Sequence, residues 1–180
     1  AQWLLNMVEN LLSVTRINNQ TASVNTTLEP LEEVVSAALR RFYKRTPGAK
    51  VQARIPDELI MLPMDATLIE QVLINLLENA VYHSGSQTPT SLSVDTDNGF
   101  AHFHVRDYGS GISPDRLDTL FDGYPSTPNH SSDSHKGMGI GLSICKTIIS
   151  AHHGQISAKN HPDGAEFIFS LPLGENTYGS

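Results

Sequence analysis

Asn75 and Asn79 stand four residues apart in a long apolar stretch, with Tyr82 three residues further on. On a helix these positions share one face, so they form a polar stripe on an otherwise apolar element. Gln71 and Glu78 border it. Inward-facing amides are costly unless something hydrogen-bonds them. An amide carbonyl oxygen also suits Mg2+, which takes one or two protein oxygens beside phosphates and waters. The plain alternative is a solvated helix face. A second group, Asp107-Tyr108-Gly109-Ser110-Gly111, closes an alternating strand pattern. Its carboxylate can accept a hydrogen bond from an exocyclic amine, and its glycines let backbone approach a flat ligand. The same residues also make an ordinary strand-to-helix turn. The third group is Gly137-Met138-Gly139-Ile140-Gly141-Leu142-Ser143, ahead of an apolar helical pattern. Free N–H groups and the helix dipole make such a segment an anion site, although a flexible hinge has the same composition. Its spacing is neither the dinucleotide fingerprint nor a Walker loop.

The elements that must position these groups can be read from periodicity. Trp3, Leu4, Met7, Val8, Leu11 and Leu12 fall at three- and four-residue spacings, a stripe for pairing with other helices. A polar stretch over 18–25 follows, with Asn18-Asn19-Gln20-Thr21 as the expected linker. A helix is predicted over 32–45, with Leu31, Val34, Val35, Ala38, Leu39 and Phe42 on one face and Thr46-Pro47-Gly48 as its stop. Short strands are expected at 50–55 and 59–62. Asp65 is the expected N-cap of a helix over 66–83 whose apolar face is Leu68, Ile69, Val72, Leu73, Leu76 and Ala80. Leu92 and Val94, then Phe103 and Val105, alternate with polar residues about Asn98-Gly99, a hairpin signature. A short helix is expected over 114–120, a helix over 139–153, and a closing hairpin from 155–159 and 166–171. The stretch 122–136 is rich in Ser, Pro, His and Asp, and loops of that length inside a compact domain are usually functional. Strands and helices do not alternate regularly, so the expected class is α+β, a two-layer α/β sandwich, and not a doubly wound sheet.

Composition narrows the function classes. With 39% hydrophobic and 17% charged residues the chain is too apolar for a disordered one. The net charge of −7 argues against a nucleic-acid binder, which needs a basic face. The basic cluster Arg40, Arg41, Lys44 and Arg45 reads as a helix C-terminus complementing the macrodipole. Cys145, the single cysteine, lies among isoleucines and is expected in the core. No stretch reaches the roughly 18 apolar residues that a membrane helix needs. The opening, without Met and already in a helical pattern, reads as part of something longer.

Taken together and in this order, Asn-x-x-x-Asn, Asp-x-Gly-x-Gly and Gly-x-Gly-x-Gly-Leu-Ser resemble the N, G1 and G2 boxes of the sensor histidine kinase (GHKL, Bergerat) ATP-binding fold. Leu120-Phe121-Asp122-Gly123-Tyr124 resembles the F box, and Gly164-Ala165-Glu166-Phe167 with Leu171-Pro172 the closing strand. The resemblance covers about 28–173. The leading helix is similar to the second helix of the family's dimerisation and phosphoacceptor region. That divides the chain into 1–20, dimerisation helix and linker, and 21–180, the ATP-binding domain. Met7–Arg16 and Ile55–Leu59 are similar to the potassium-sensing Kdp-type kinases.

The resemblance implies roles. Asn79, helped by Asn75, would hold Mg2+ against the ATP phosphates, and these two would be the catalytic pair. Asp107 would read the adenine amine, with Gly109 and Gly111 making room for the base. Residues 122–136 would be the ATP lid. Gly137, Gly139 and Gly141 would let it hinge and would cradle phosphate. The implied nucleotide-binding set also takes in Tyr82, His83, Ile112, Phe121, Lys136, Met138, Ile140 and Leu142. ATP and Mg2+ are the expected cofactors. The expected partners are a response regulator and the protein's own dimerisation domain in a homodimer, with no nucleic acid. Contact with a membrane would come only through N-terminal parts beyond this sequence, making this a cytoplasmic domain of a membrane sensor.

Departures from the family pattern shape the expected activity. Many relatives carry Lys three residues after the second Asn, where this chain has Tyr82, and Arg or Lys beyond the F box, where it has Pro125-Ser126-Thr127. Phosphate neutralisation is then expected to fall on Lys136 or on His130 or His135. None of the eight histidines is followed by Glu or Asp, as the family's phosphoacceptor is. A fragment unable to phosphorylate itself is therefore expected. His102 and His104 are read as solvent-facing, and His152-His153 as favourable positive charge at a helix end. Three other readings stay open. A GHKL ATPase would normally have Glu at position 75. An anti-sigma-factor-type serine kinase would lack the leading helix. A non-catalytic nucleotide-binding module would fit Tyr82 and the lid's lack of arginine.

Overall fold

A computed structural model describes residues 2–18, 24–123 and 138–174, with only the backbone described for some residues of the first helix and at 138–140. The central element is α3, Ala66–Ser84. As expected, the Asp65 side chain caps it by accepting from the Leu68 N–H at 3.2 Å. Gly85, at φ 57°, ends it in the left-handed conformation that glycine adopts without strain. The six residues expected on its apolar face are all buried. So are Ile74 and Leu77 on its flanks, because α2 (Leu31–Arg45) and α5 (Met138–Ala151) cover the helix on two sides.

Beneath this layer lies a five-stranded sheet in the order β2-β4-β5-β7-β6, formed by Val51–Arg54, Thr90–Asp97, Phe100–Arg106, Gly164–Pro172 and Gln155–His161. The β2–β4 pair is parallel and the other pairs are antiparallel, so the sheet is mixed. At the β4–β5 turn Asn98 and Gly99 have φ of 51° and 81°, the pair of positive values that a tight hairpin requires. Leu92, Val94, Phe103, Val105, Phe167 and Phe169 face the helices and are buried. Phe103 stacks on its register partner Phe169 with ring centres 4.5 Å apart. The two-layer α/β sandwich is thus formed by one mixed sheet under three helices.

Two strands were misplaced by periodicity. Thr27–Pro30 forms β1, in a region with no expected strand, and the strand expected at 59–62 is β3 at Met61–Met64. The two pair with each other as a separate antiparallel ribbon. Four-residue strands offer too few alternations for a period-two signal. The short helix, α4, spans only Pro114–Leu117, and α5 already ends at Ala151. Residues 19–23, which include most of the expected linker, lie outside the described residues.

The leading helix, α1, runs from Gln2 to Asn18. It brings Glu9 and Asn10 against the other helices, and four residues of its expected stripe are turned away. Leu4, Val8, Leu11 and Leu12 are exposed, whereas Asn10 and Ile17 are buried. Glu9 pairs with Arg41 and Arg45 of α2, which also reach Glu70 and Glu78 of α3. Arg41 and Arg45 therefore bridge three helices, a task beyond complementing the dipole of α2. Burial lifts the Glu78 carboxyl above its ordinary range, against the pull of Arg45.

Candidate nucleotide site

The site grows from the middle and the C-terminal end of α3. Near its middle, Asn75 and Asn79 are both half-buried but differ in their partners. Asn75 is fully engaged. Its Oδ1 accepts from Gln71 Nε2 at 3.1 Å, and its Nδ2 faces the Gly141 carbonyl at 3.5 Å and the Asn10 Oδ1 at 3.4 Å. Asn79 Oδ1 is buried and takes no hydrogen bond among the described residues. A buried acceptor left unmade costs about 1–3 kcal/mol, so this oxygen is suited to accept from a donor or to ligate a cation from outside the described residues. At the C-terminal end of α3, Tyr82 is 62% exposed and lies edge-on to His83, ring centres 4.9 Å apart.

Asp107 follows β5 and is only 5% exposed. Its Oδ1 accepts from the N–H groups of Gly109 at 3.0 Å and Ala165 at 3.3 Å, while Oδ2 takes no hydrogen bond among the described residues. The loop that carries it is pinned at both ends. Arg106 lies over the Tyr108 ring at 4.7 Å and donates to Asp163 at 2.6 Å. Ile112 N–H donates to Asn160 Oδ1 at 2.8 Å, and Asn160 Nδ2 donates back to the Ile112 carbonyl at 2.6 Å. Asn160 went unremarked in the sequence because it lies in a distant strand with no motif of its own.

The glycines of this loop make room for protein backbone. A Cβ on Gly109 would stand 2.4 Å from the Ser84 carbonyl oxygen, so Gly109 lets the loop seat on the end of α3. A Cβ on Gly164 would stand 2.1 Å from the Asp107 carbonyl oxygen. Gly111 has φ +80°, and its Cβ would crowd Asn160 Oδ1. Asp107 is thereby held against the C-terminal end of the asparagine helix.

The glycine segment closes the other side. Gly139 and Gly141 lie within the first turns of α5, which starts at Met138, one residue earlier than expected. A Cβ on Gly141 would touch the Asn75 side chain at an ordinary 3.9 Å. Leu142 is buried beneath it. Phe121 meets Phe167 edge-on at 6.3 Å, tying the residue just before the 122–136 stretch to β7. Residues 124–137, with Lys136 and Gly137 among them, lie outside the described residues, as do the side chains of Met138 and Ile140.

Residues 64–175 match the family described as histidine kinase-, DNA gyrase B- and HSP90-like ATPase. The chain belongs to that family. It is 40% identical over 172 residues to the sensor protein KdpD of Clostridium acetobutylicum, covering 95% of this chain and 19% of that protein. The catalytic domain of histidine kinase ThkA superposes with a TM-score of 0.69 at 27% identity, covering 83% of this chain and 97% of that one. Histidine kinase AdeS of Acinetobacter baumannii superposes with a TM-score of 0.73 at 25% identity, covering 96% and 79%. The expected fold is confirmed, and the chain is an ATP-binding domain homologous to sensor histidine kinase catalytic domains. It spans about a fifth of the length of its curated KdpD relative. Among the described residues no helix is long and apolar enough to cross a membrane.

The histidines of this histidine-kinase-like domain are busier than expected. His104 faces Glu166 Oε1 and Asp95 Oδ2, each at 2.9 Å, and is half-buried. His161 reaches the other Glu166 oxygen at 2.7 Å. Burial pushes the Glu166 carboxyl up, but His161, His104 and Lys159 together bring it below its ordinary value. His104 thus ties three strands on the outer face of the sheet. His152 is buried and carries no positive charge to the helix end. Its Nδ1–H donates to the Ile148 carbonyl at 2.8 Å, so Nε2 is left as an acceptor. Cys145 is core, as expected, with burial pushing its thiol up to about 12.

Proposed function

We propose that this domain binds Mg2+-ATP between α3 and the glycine segment and serves as the kinase domain of a two-component sensor. The observation that carries the reading is the buried, unpartnered Oδ1 of Asn79. Asn79 would supply the protein oxygen to Mg2+, with Asn75 beside it, and the ion would neutralise phosphate charge. Asp107 would accept from the adenine amine through Oδ2, its Oδ1 already being held by backbone. Catalysis on this reading is positioning and charge neutralisation, as in other phosphoryl transfers. The γ-phosphoryl would pass to a histidine nitrogen on the dimerisation region, with the bond to the bridging oxygen breaking and ADP leaving. A response-regulator Asp would receive it next.

On this reading 1–20 is the end of the dimerisation region and 21–180 the ATP-binding domain, lying on the cytoplasmic side of a membrane sensor that works as a homodimer. The exposed Leu4, Val8, Leu11 and Leu12 support a helical partner for α1. No histidine of the chain has the family's acidic neighbour, so the acceptor is supplied from outside it. Incubation with γ-labelled ATP tests this. The chain alone should bind ATP and remain unlabelled, and one extended upstream through the acceptor helix should form an acid-labile phosphohistidine. Rapid phosphate release by the short chain, or stable label on it, would overturn the kinase assignment in favour of an ATPase or a serine kinase.

A further inference from the structure

Asn10 belongs to α1, outside the family-matched segment 64–175, yet it is 7% exposed and lies against the nucleotide helix. Its Oδ1 accepts from two side-chain amides of α3, Gln71 Nε2 at 3.2 Å and Asn75 Nδ2 at 3.4 Å. Gln71, 3% exposed, gives the same nitrogen to Asn75 Oδ1. The orientation of Asn75 follows from partner chemistry. The Gly141 carbonyl can only accept, so the nitrogen of Asn75 faces it and the oxygen faces Gln71. One amide therefore joins α1, α3 and the first turns of α5.

We infer that Asn10 and Gln71 are positioning residues for Asn75, so that the nucleotide site includes a side chain from the leading helix. The inference rests on the proposed Mg2+-ATP site and adds a support that the three boxes do not contain. Groups that orient a ligand-binding amide govern its affinity without touching the ligand. Asn75 is held at both of its polar atoms, so its oxygen keeps one direction only while Gln71 and Asn10 are in place. By reciprocity, whatever Asn10 contributes to Mg2+-nucleotide binding, the bound nucleotide returns to the docking of α1.

The test is calorimetric titration of a non-hydrolysable ATP analogue with Mg2+ and with EDTA, on the whole 180-residue chain. Asn10→Leu and Gln71→Leu should weaken binding in Mg2+ by about threefold to tenfold, the worth of one hydrogen bond. Affinity in EDTA should stay at the wild-type value. Asn10→Asp, which keeps an acceptor oxygen for both amides, should restore most of the loss. In the wild type, saturating Mg2+-analogue should also slow amide exchange over residues 2–18, a readout that needs no variant to fold. Lowered melting temperatures with an unchanged Mg2+ response, or unaltered exchange in α1, would overturn the positioning role. Failure of the wild type to bind the analogue at all would overturn the nucleotide site itself, and this inference with it.

Discussion

The backbone N–H of Asp65 donates to Nε2 of His152 at 3.0 Å, joining the start of α3 to the end of α5. With Nδ1–H given to Ile148, both ring nitrogens are used by a neutral imidazole and nothing is left for a second proton. Burial holds its pKa below the ordinary 6.5, against the opposing influence of the Ile148 carbonyl and Asp65.

A base whose folded pKa is depressed binds fewer protons folded than unfolded, so its contribution is present above the unfolded pKa and fades as pH falls. Stability should decline as pH drops below about 6.5, with a slope of up to about 1.4 kcal/mol per pH unit from this one group. The Glu166 carboxyl, lowered from 4.5, adds its own loss only further into acid. Urea midpoints measured from pH 7.5 to 5.5 should fall more steeply in the wild type than in His152→Gln. Parallel curves would contradict the neutral bridge.

Gly109 and Gly141 should respond oppositely to alanine. At Gly109 the new Cβ meets Ser84 backbone at 2.4 Å, and backbone cannot swing aside, so Gly109→Ala should cost about 1–3 kcal/mol. At Gly141 the nearest atom is at 3.9 Å and the residue is helical, so Gly141→Ala should be neutral or stabilise by up to about 1 kcal/mol. Chemical denaturation of both variants checks the contrast. Equal effects would remove the close approach at Ser84 as the reason for Gly109.

Asp107→Asn keeps Oδ1 for the Gly109 and Ala165 amides but puts a donor where Oδ2 was. The new side-chain NH2 and the adenine amine, both donors, would then face each other. A bond to a charged group is worth about 1.5–3 kcal/mol, so ATP affinity should drop at least about tenfold with the fold intact. The wild type should prefer ATP to GTP. Calorimetric titration showing equal affinity for both nucleotides would move adenine recognition elsewhere.

Asn79→Ala removes a buried acceptor that has no partner among the described residues. Free of nucleotide, the variant should be as stable as the wild type or slightly more so, since an unmet acceptor is itself a cost. Its nucleotide binding should lose the response to Mg2+. A full Mg2+ response in this variant would assign the ion to other groups.

Much of this architecture was legible because its causes are local. The Asp65 cap, the 3.6-residue stripe of α3 and the Asn98-Gly99 turn each depend on neighbours within a few residues. The glycine and asparagine boxes were legible as a set, since their order along the chain carried what no single box could. The sequence by itself therefore determined the layer structure and the family to which the boxes belong. Only the tertiary structure decided how the residues of those boxes are held. The pairing of β1 with β3, the charge bridges of Arg41 and Arg45, and the histidine–glutamate cluster at Glu166 join segments with no shared period. The same holds for the two asparagines of α3. They look alike in sequence, yet Asn75 is tied to Asn10, 65 residues away, while Asn79 keeps an open oxygen. Hydrogen bonding at a helix face depends on what the rest of the chain brings against it, and that is settled only when the helices pack.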